Sequence, residues 1–248
     1  MRTIPAPLGR VALETPALAM PGDTLPAGST RDLRRAMARF CDGDAHLAAR
    51  TSVEAAIAGV DRARLESATR QRTRALLAHD RGDEVSVLVP ASAMAETLGI
   101  IDAHDDGAAL IERLVRVGEA IVAGTFLVEG ALTDQTAAEL LAMSAHASEP
   151  VAIISILHQT RGATGALIEA TLDSVVPRPV AVPSTKRTAV SGLELDSFGD
   201  IAAGETVAVE LDQATEFGHG PHACPGRELA EMIVAVVVES LADEAPSG

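Results

Sequence analysis

The sequence predicts a mainly α protein with a small β region, in a single domain over residues 1–248. Three observations support this fold class. Segments with helical periodicity, several of them preceded by a polar residue that can cap a helix, recur between residues 29 and 147, and a long apolar helix follows Pro150. Alternating, β-branched segments are confined to the chain after Pro177. A chain of 248 residues is long enough for a sizeable core.

Composition limits the classes of partner. The chain has no Trp or Tyr and only four Phe, so its core must be aliphatic. A net charge of −15 disfavours nucleic acid and anionic membrane surfaces as partners. No apolar run approaches the roughly 20 residues that span a bilayer, and the N-terminus does not resemble a signal peptide. Cys41 and Cys224 could form one disulfide, but we expect two free thiols in a reducing cytoplasm.

The first elements are predicted from local signals. Residues 1–28 are rich in Pro and Gly and are expected to run extended over the surface. From Ser29, "STRDLRRAMARF" and "DGDAHLAARTSVEAAI" predict helices, the second with Asp42 or Asp44 as its N-cap. Asp61 begins a further amphipathic helix, "DRARLESATRQRTRALLAH".

The middle of the chain is predicted to be helical after one extended segment. "VSVLV", residues 85–89, favours a short strand or extended backbone, since Pro90 follows and leads into "ASAMAETLGI". "GAALIERLVRVGEAIVAG" and "TDQTAAELLAMSAHA" predict two more helices, with Thr133 capping the second.

The last third begins with the long apolar helix. Pro150 suits a first helical position, and residues 151–176 are apolar on nearly every side, which predicts a buried helix that crosses the domain. "PVAV", "KRTAV", "LELDSFGDI" and "ETVAVEL" then predict strands, with turns around Gly199 and Gly204. "RELAEMIVAVVVESLA" predicts a final helix.

Between the last strand and this helix lies the segment "FGHGPHACPGRELAE", in which Cys224 precedes the helix. Unpaired N–H groups and the helix dipole at this position favour a thiolate, which suits a metal ligand or a nucleophile. The alternative is a buried structural cysteine. Zinc is disfavoured because no second cysteine lies within C-x₂₋₄-C spacing, and a cysteine hydrolase because no base is marked. The neighbours that allow close approach or add charge are Gly218, Gly220, Gly226, His222 and Arg227.

This segment resembles the haem-binding signature F-G-x-G-x-H-x-C-x-G of the cytochrome P-450 family. The residues that fill its six fixed positions are Phe217, Gly218, Gly220, His222, Cys224 and Gly226. The resemblance implies an abridged P-450-like fold that holds haem b between a long distal helix and the cysteine loop. It also implies that Cys224 is the axial thiolate of the iron and that His222 reaches a haem propionate.

Weaker segments follow in the family's order over roughly residues 30–243. "DGDAHLAAR" resembles D-x-x-x-H-x-x-x-R, in which His46 and Arg50 would bind propionates from one helical face. "STKRTAVSGLEL" resembles the strand whose Arg, here Arg187, also reaches a propionate. In "HQTRGATGALI", Thr164 matches the oxygen-handling threonine, but Ala163 replaces the usual acid. "VSVLVPASAMAETLGI" resembles the segment before the substrate-lid helices.

The chain also departs from the family pattern. It is short, so the N-terminal helices and sheet are expected to be missing, and the lid region over residues 102–149 looks abridged. The E-x-x-R motif is absent, with Asp173 about where its Arg is expected, and so is the meander before the cysteine loop. Weaker support of the thiolate side is expected to follow, and self-association would cover the apolar surface left bare.

The resemblance implies a haem-thiolate oxidoreductase for a small organic substrate, plausible in specialised metabolism. It would be a monooxygenase supplied by an electron-donor protein, a peroxygenase supplied by peroxide, or a rearrangement enzyme. The alternative is a non-catalytic haem sensor or an auxiliary P-450-like scaffold protein. The retained Cys224 favours chemistry, whereas Ala163 and the missing Arg favour the alternative.

Other candidate residues have plainer interpretations. His158 is expected to be a core histidine or, on the distal face, to touch a ligand. The remaining expectations are a buried apolar Cys41, an exposed His219 and Arg70, and a solvated acidic loop at Asp102, Asp105 and Asp106.

Overall fold

The computed structural model of the chain describes residues 1–127, 129–173 and 179–244. The helices are α1 (Ala6–Glu14), α2 (Ser29–Ala36), α3 (Gly43–Ala58), α4 (Arg62–Ala78), α5 (Val85–Thr97), α6 (Ala108–Ala123), α7 (Gly130–Met143), α8 (Pro150–Gln159), α9 (Gly165–Leu172) and α10 (Arg227–Glu244). The strands are β1 (Thr3–Ile4), β2 (Leu18–Ala19), β3 (Ser184–Ala189), β4 (Leu193–Leu195), β5 (Gly199–Ile201) and β6 (Thr206–Glu210). The mainly α class with a small β region is confirmed.

The helices pack around α5, which touches α4, α6, α8 and α9. Ala91, Ala93 and Ala95 on α5 are completely buried, and their small side chains allow the neighbouring helices to approach closely. The surrounding core is built from aliphatic side chains, as the composition predicts. In the part of the chain that the structure describes, every helix is too short or too polar to cross a lipid bilayer.

The long apolar helix is confirmed over residues 150–172, here called the central helix. It consists of α8, a π-helical turn (Thr160–Thr164) and α9, and Pro150 occupies its first turn. Leu157 and Ile168 are almost fully buried, in keeping with its apolar sequence. The predicted end of this helix, residues 174–176, lies outside the described residues.

The β region is a four-stranded sheet and a separate hairpin. The sheet has the order β1-β6-β3-β2, in which β1 runs parallel to β6 while β3 is antiparallel to both β6 and β2. β4 and β5 form the hairpin. Helix α1 packs on β6 so closely that a Cβ at Gly9 would lie 2.6 Å from the carbonyl oxygen of Glu210. A second apolar core lies under this sheet.

The expectation that residues 1–28 run extended over the surface is wrong. They form β1, α1 and β2, and Ile4 and Leu13 are buried in the second core. Pro7 lies in the first turn of α1, where a helix tolerates proline because the missing N–H has no partner there. The expectation that an N-terminal sheet is missing is wrong for the same reason.

Three local expectations also need correction. Residues 85–89 are helical, because Pro90 lies inside α5 rather than ahead of it. Thr133 does not cap α7, which begins at Gly130. Residues 179–182 form no strand; the sheet resumes at Ser184. Pro90 has no N–H to donate to the carbonyl of Ser86, and that carbonyl instead faces Gly165 of the central helix.

Candidate functional site

A large cavity separates the central helix from the loop that carries Cys224. The space between its walls, counted out to its open mouth, is about 1450 Å³. Apolar side chains line most of it, and cationic side chains gather where α3, β3 and the cysteine loop meet. The apolar residues include Val53, Ile57, Met94, Ile156, Leu229 and Ile233.

The cysteine loop, residues 215–226, is a compact, hydrogen-bonded turn. The backbone N–H of Cys224 donates to the carbonyl of Phe217 at 2.7 Å, which closes the loop on itself. Gly218 has a φ of 74°, and a Cβ there would lie 2.7 Å from the carbonyl oxygen of His222. Only glycine therefore fits this position. Helix α10 begins at Arg227, and the carbonyl of Gly226 accepts the first hydrogen bond of its opening turn, from Ala230.

Cys224 faces the cavity, and its thiol is exposed to it. Burial by the surrounding protein raises the pKa of the Cys224 thiol, although the Gly226 backbone N–H, Arg50 and Arg39 act to lower it. The backbone N–H therefore favours the thiolate, as predicted, but in the protein without a bound metal burial outweighs it. A metal cation would reverse the balance, because coordination deprotonates a thiol.

His46 and Arg50 lie on one face of α3, as their spacing predicts, and both reach the cysteine loop. The ring nitrogens of His46 lie 2.8 Å from the carbonyl oxygen of Ala38 and 3.0 Å from that of Pro221. Arg50 donates to the carbonyls of Pro221 and Ala223 and pairs with Glu54 at 2.6 Å. Both side chains thus hold the backbone just before Cys224, an arrangement that the motif alone did not reveal.

Arg187 and His222 complete this side of the cavity. Arg187 donates to Thr185 Oγ1 and to the Lys186 carbonyl. Its side chain is only 4% exposed, and this burial lowers the pKa of its guanidinium. The ring of His222 lies 4.0 Å from that of His46, and its Nε2 is 3.3 Å from Asp42 Oδ1. Burial, followed by the charges of His46 and Arg187, lowers the pKa of His222 to about 4.

Arg39 is a cavity residue that sequence reasoning missed. It extends from a 3₁₀ turn (Ala38–Phe40) to the central helix, where it donates to Gln159 Oε1 at 2.9 Å. The side chain is exposed to the cavity, yet the surrounding protein lowers its pKa by burial. No motif marks this arginine, so only its position in the fold identifies it.

The central helix supplies the wall opposite Cys224. The π-helical turn places Ala163 within it and Thr164 at its end. The residues of the central helix that face the cavity here are Ser155, Gln159, Thr160, Ala163 and Thr164. Thr164 is only 3% exposed, and its role as the oxygen-handling threonine stays a prediction.

His158 points away from the cavity and packs against Gly118 of α6, where a Cβ would lie 2.6 Å from the imidazole. Burial, with the charges of Arg39 and Arg161, lowers the pKa of His158 to about 4. The interpretation as a core histidine therefore fits, and contact with a ligand does not.

Three further candidates of the cysteine loop line the cavity: Phe217, which lies under the guanidinium of Arg227, and Gly218 and Gly226. The other candidates lie outside it. Cys41 is half-buried rather than buried, and its thiol donates to the Met37 carbonyl. His219 is not fully exposed, since its Nε2 lies 2.7 Å from Glu14 Oε1. Arg70 is likewise only 27% exposed and pairs with two glutamates.

The acidic loop is ordered by its own contacts. Asp105 and Asp106 accept from the backbone N–H groups of Gly107 and Ala108, and Arg72 donates to the carbonyls of Asp102 and Asp105. Across the described ranges, no three His, Cys, Asp or Glu side chains converge as a metal site. A metal at Cys224 would therefore need other ligands from a cofactor.

Comparison with solved structures identifies the fold. No family model and no curated protein matches the chain. CalO2 matches it with a TM-score of 0.75 at 17% identity, over 94% of this chain and 80% of that one. P450BioI, solved with acyl carrier protein ligated to hexadec-9Z-enoic acid, matches at 0.71 and 15%, over 96% and 83%. The matching structures are cytochromes P-450.

The chain has the cytochrome P-450 fold. A structure described among unusual cytochrome P-450-like monooxygenases of microbial secondary metabolism also matches, at 0.66 and 15% identity over 98% of this chain and 86% of that one. The resemblance read from the cysteine loop is thus confirmed for the fold. The P-450 pattern also expects an Arg near Asp173; the residues just after it, 174–178, lie outside the described residues.

The residues of the P-450 cavity fit a haem. Cys224 offers one sulfur ligand, and the apolar walls suit a flat macrocycle. Arg187 is a buried cation beside His222, and in the described ranges no carboxylate forms an ion pair with it. A buried cation is costly without a partner, and a propionate would supply one.

Proposed function

We propose that the chain binds one haem b non-covalently and acts as a haem-thiolate oxidoreductase on a small organic substrate. The observation that carries the proposal is a single cysteine, Cys224, facing the central helix across a cavity edged with cations. The loop has no second cysteine, which excludes the paired thioethers of a c-type haem. The P-450 fold supports the same conclusion.

Each residue of the loop side has a distinct role in this proposal. Cys224 is the metal ligand, and Phe217, Gly218 and Gly226 shape the loop around it. Arg187 and His222 bind the propionates, a role supported by the fact that both side chains line the cavity. His46 and Arg50 bind them too or position the loop through its carbonyls.

Thiolate-ligated haem supplies oxygen activation when bound, because electron donation from sulfur favours O–O cleavage. Thr164 holds a hydroxyl at the end of the π-helical turn, where it can pass a proton into the cavity. Ala163 provides no carboxylate to resupply that proton. The chain's own residues therefore suit peroxide, or a rearrangement, better than a reaction that needs repeated proton delivery.

The proposed activity implies particular partners. A small-molecule substrate enters the cavity, with an electron-donor protein or peroxide as co-reactant, and microbial secondary metabolism is the setting named for one similar structure. Acyl carrier protein, bound by P450BioI, is a substrate carrier to test. A cytoplasmic location and self-association stay predictions.

The absorption spectrum of the purified protein tests the proposal. The ferrous carbon monoxide complex is expected to show the red-shifted Soret band of thiolate ligation. Cys224→Ala should abolish that band, whereas Cys41→Ala should keep it, because Cys41 does not line the cavity. Failure to take up haem on reconstitution, or the same Soret band in Cys224→Ala, would overturn the proposal.

A further inference from the structure

Arg39 is a cation without an acidic partner at the edge of the cavity. Its only hydrogen bond among the described residues is the one to Gln159 Oε1, at 2.9 Å. In the same ranges no Asp or Glu oxygen lies within ion-pair distance of its guanidinium. A cation held among protein atoms is costly unless an anion meets it. Burial by the surrounding protein lowers the pKa of Arg39, in keeping with that cost.

The other cations of the cavity are placed differently. Arg50 is engaged by Glu54 and two loop carbonyls, and His222 lies beside Asp42. Arg187 projects from β3 and is held by Thr185 and its neighbouring carbonyl. Arg39, unlike these residues, has a hydrogen bond to the central helix within the described part of the chain, through the amide of Gln159. Its guanidinium therefore lies beside the central helix, within electrostatic range of Cys224 and Arg187, so a substrate held against that helix would meet it.

The surroundings of Arg39 are amphipathic. Ser155 and Gln159 are four residues apart, hence on one face of the central helix, and both face the cavity. Ile156 and Met94 add apolar surface to the same cavity. A ligand that satisfied all four side chains would carry an anionic group at one end and an apolar body.

We propose that Arg39, positioned by Gln159, forms a carboxylate-binding subsite for an amphipathic organic acid, the substrate class of this cavity. The inference rests on the proposed function, because it assumes that haem occupies the space next to Cys224. A guanidinium donates two parallel hydrogen bonds to a carboxylate, and Gln159 fixes the orientation from which it does so. A haem propionate is the other source of a carboxylate, and the experiment separates the two.

Isothermal titration of the haem-loaded protein with decanoate and with 1-decanol at pH 7.5 tests the subsite. Decanoate is expected to bind at least about tenfold more tightly, since a hydrogen bond to a charged group contributes that much. Arg39→Gln should remove the difference and leave decanol binding and haem content unchanged, and Arg39→Lys should restore part of it. Arg74→Gln is the matched control, because Arg74 lies outside the cavity and 49% of its side chain is exposed.

The outcomes distinguish the two proposals. Equal affinity for decanoate and decanol in the wild-type protein overturns the subsite. Loss of haem in Arg39→Gln assigns the carboxylate to a propionate and overturns it as well. A wild-type chain that takes up no haem contradicts the proposed function instead. The titrations repeated on that haem-free chain still test Arg39, because its contact with Gln159 needs no cofactor.

Discussion

Arg50 links α3 to the backbone on both sides of His222, through the carbonyls of Pro221 and Ala223. In a P-450 fold whose E-x-x-R motif is not found in the sequence, this link is a direct support for the cysteine loop. A hydrogen bond to a charged group contributes about 1.5–3 kcal/mol, so its loss should loosen the loop appreciably.

Arg50→Ala is therefore expected to release haem at least about tenfold faster than the wild-type protein. Transfer of haem to an excess of apomyoglobin measures the rate. Arg70→Ala serves as the control, since Arg70 pairs with Glu66 and Glu239 and does not line the cavity. Equal transfer rates for the two variants would show that the link does not hold the loop.

His158 gives the fold a defined response to acid. Its pKa is lowered to about 4 from an ordinary 6.5, chiefly by burial, so the folded protein keeps the ring neutral while the unfolded chain protonates it. Stability from this residue is complete above pH 6.5 and is lost as the pH falls toward 4. At pH 5 the loss should be about 2 kcal/mol in the free energy of unfolding.

Urea unfolding at pH 7.5 and pH 5 measures this loss. His158→Asn should lose less stability than the wild-type protein between the two pH values, by about that amount. His222, whose pKa is also lowered, titrates in both proteins and cancels in the comparison. An identical pH dependence in the two proteins would refute the assignment to His158.

At the scale of elements, the contact between α5 and the central helix depends on one glycine. A Cβ at Gly165 would lie 2.5 Å from the carbonyl oxygen of Ser86, which is backbone and cannot rotate away. Gly165→Ala is expected to lower the free energy of unfolding by about 1–3 kcal/mol by forcing the helices apart. The shift would also move Thr164, its neighbour in sequence.

Gly162→Ala provides the comparison within the same helix. No atom lies within 4 Å of a Cβ at Gly162, so alanine there should be neutral or slightly stabilising. Thermal unfolding of the two variants measures the difference. A Gly165→Ala protein as stable as Gly162→Ala would show that the helices can separate without cost.

Elements with strong local signals were predictable from the sequence. The central helix, α10 and the cysteine loop all carry such signals, and the structure has them where predicted. Strand β1 carries none, because its partner β6 lies about 200 residues away in the chain. The helical state of residues 85–89 was missed for a similar reason, since the packing of α5 overrides the tendency of Pro90 to end a helix.

The candidate site was predictable where a motif names the residue. The residues that the motifs name all line the one cavity, while their roles toward haem stay predictions; they are His46, Arg50, Arg187, His222 and Thr164. Arg39 was missed because its role depends on the approach of a 3₁₀ turn to Gln159, 120 residues further along the chain. The carbonyl contacts of Arg50 were missed for the same kind of reason, since they depend on how the loop folds.

At the scale of the whole molecule, the net charge of −15 affects which electron donor can dock on the protein. An acidic ferredoxin would meet like charge, which slows docking. Peroxide brings its own electrons and protons, and so avoids both this repulsion and the missing carboxylate at Ala163. We expect peroxide, or no external electrons at all, to support turnover, with Thr164→Ala reducing the rate less than about tenfold.

Turnover of an organic acid with a ferredoxin and its reductase, and separately with peroxide, measures this preference. Raising the ionic strength should improve the ferredoxin reaction and leave the peroxide reaction unchanged, because salt screens the repulsion. Fast, tightly coupled turnover with ferredoxin and none with peroxide would contradict the expectation.

The pairing of β1 with β6 has a consequence for how the molecule is made. Thr3 pairs with Ala208, so this pair of strands cannot form until residue 208 has left the ribosome. Arg187 and the cysteine loop, which edge the cavity, are also synthesised late. The helices around α5 can collapse well before then, which leaves a partly folded intermediate with an unfinished cavity. Under the proposed function, haem would therefore bind only after these late elements are made, and cells short of haem should accumulate this chain with its sheet formed and its cavity unfilled.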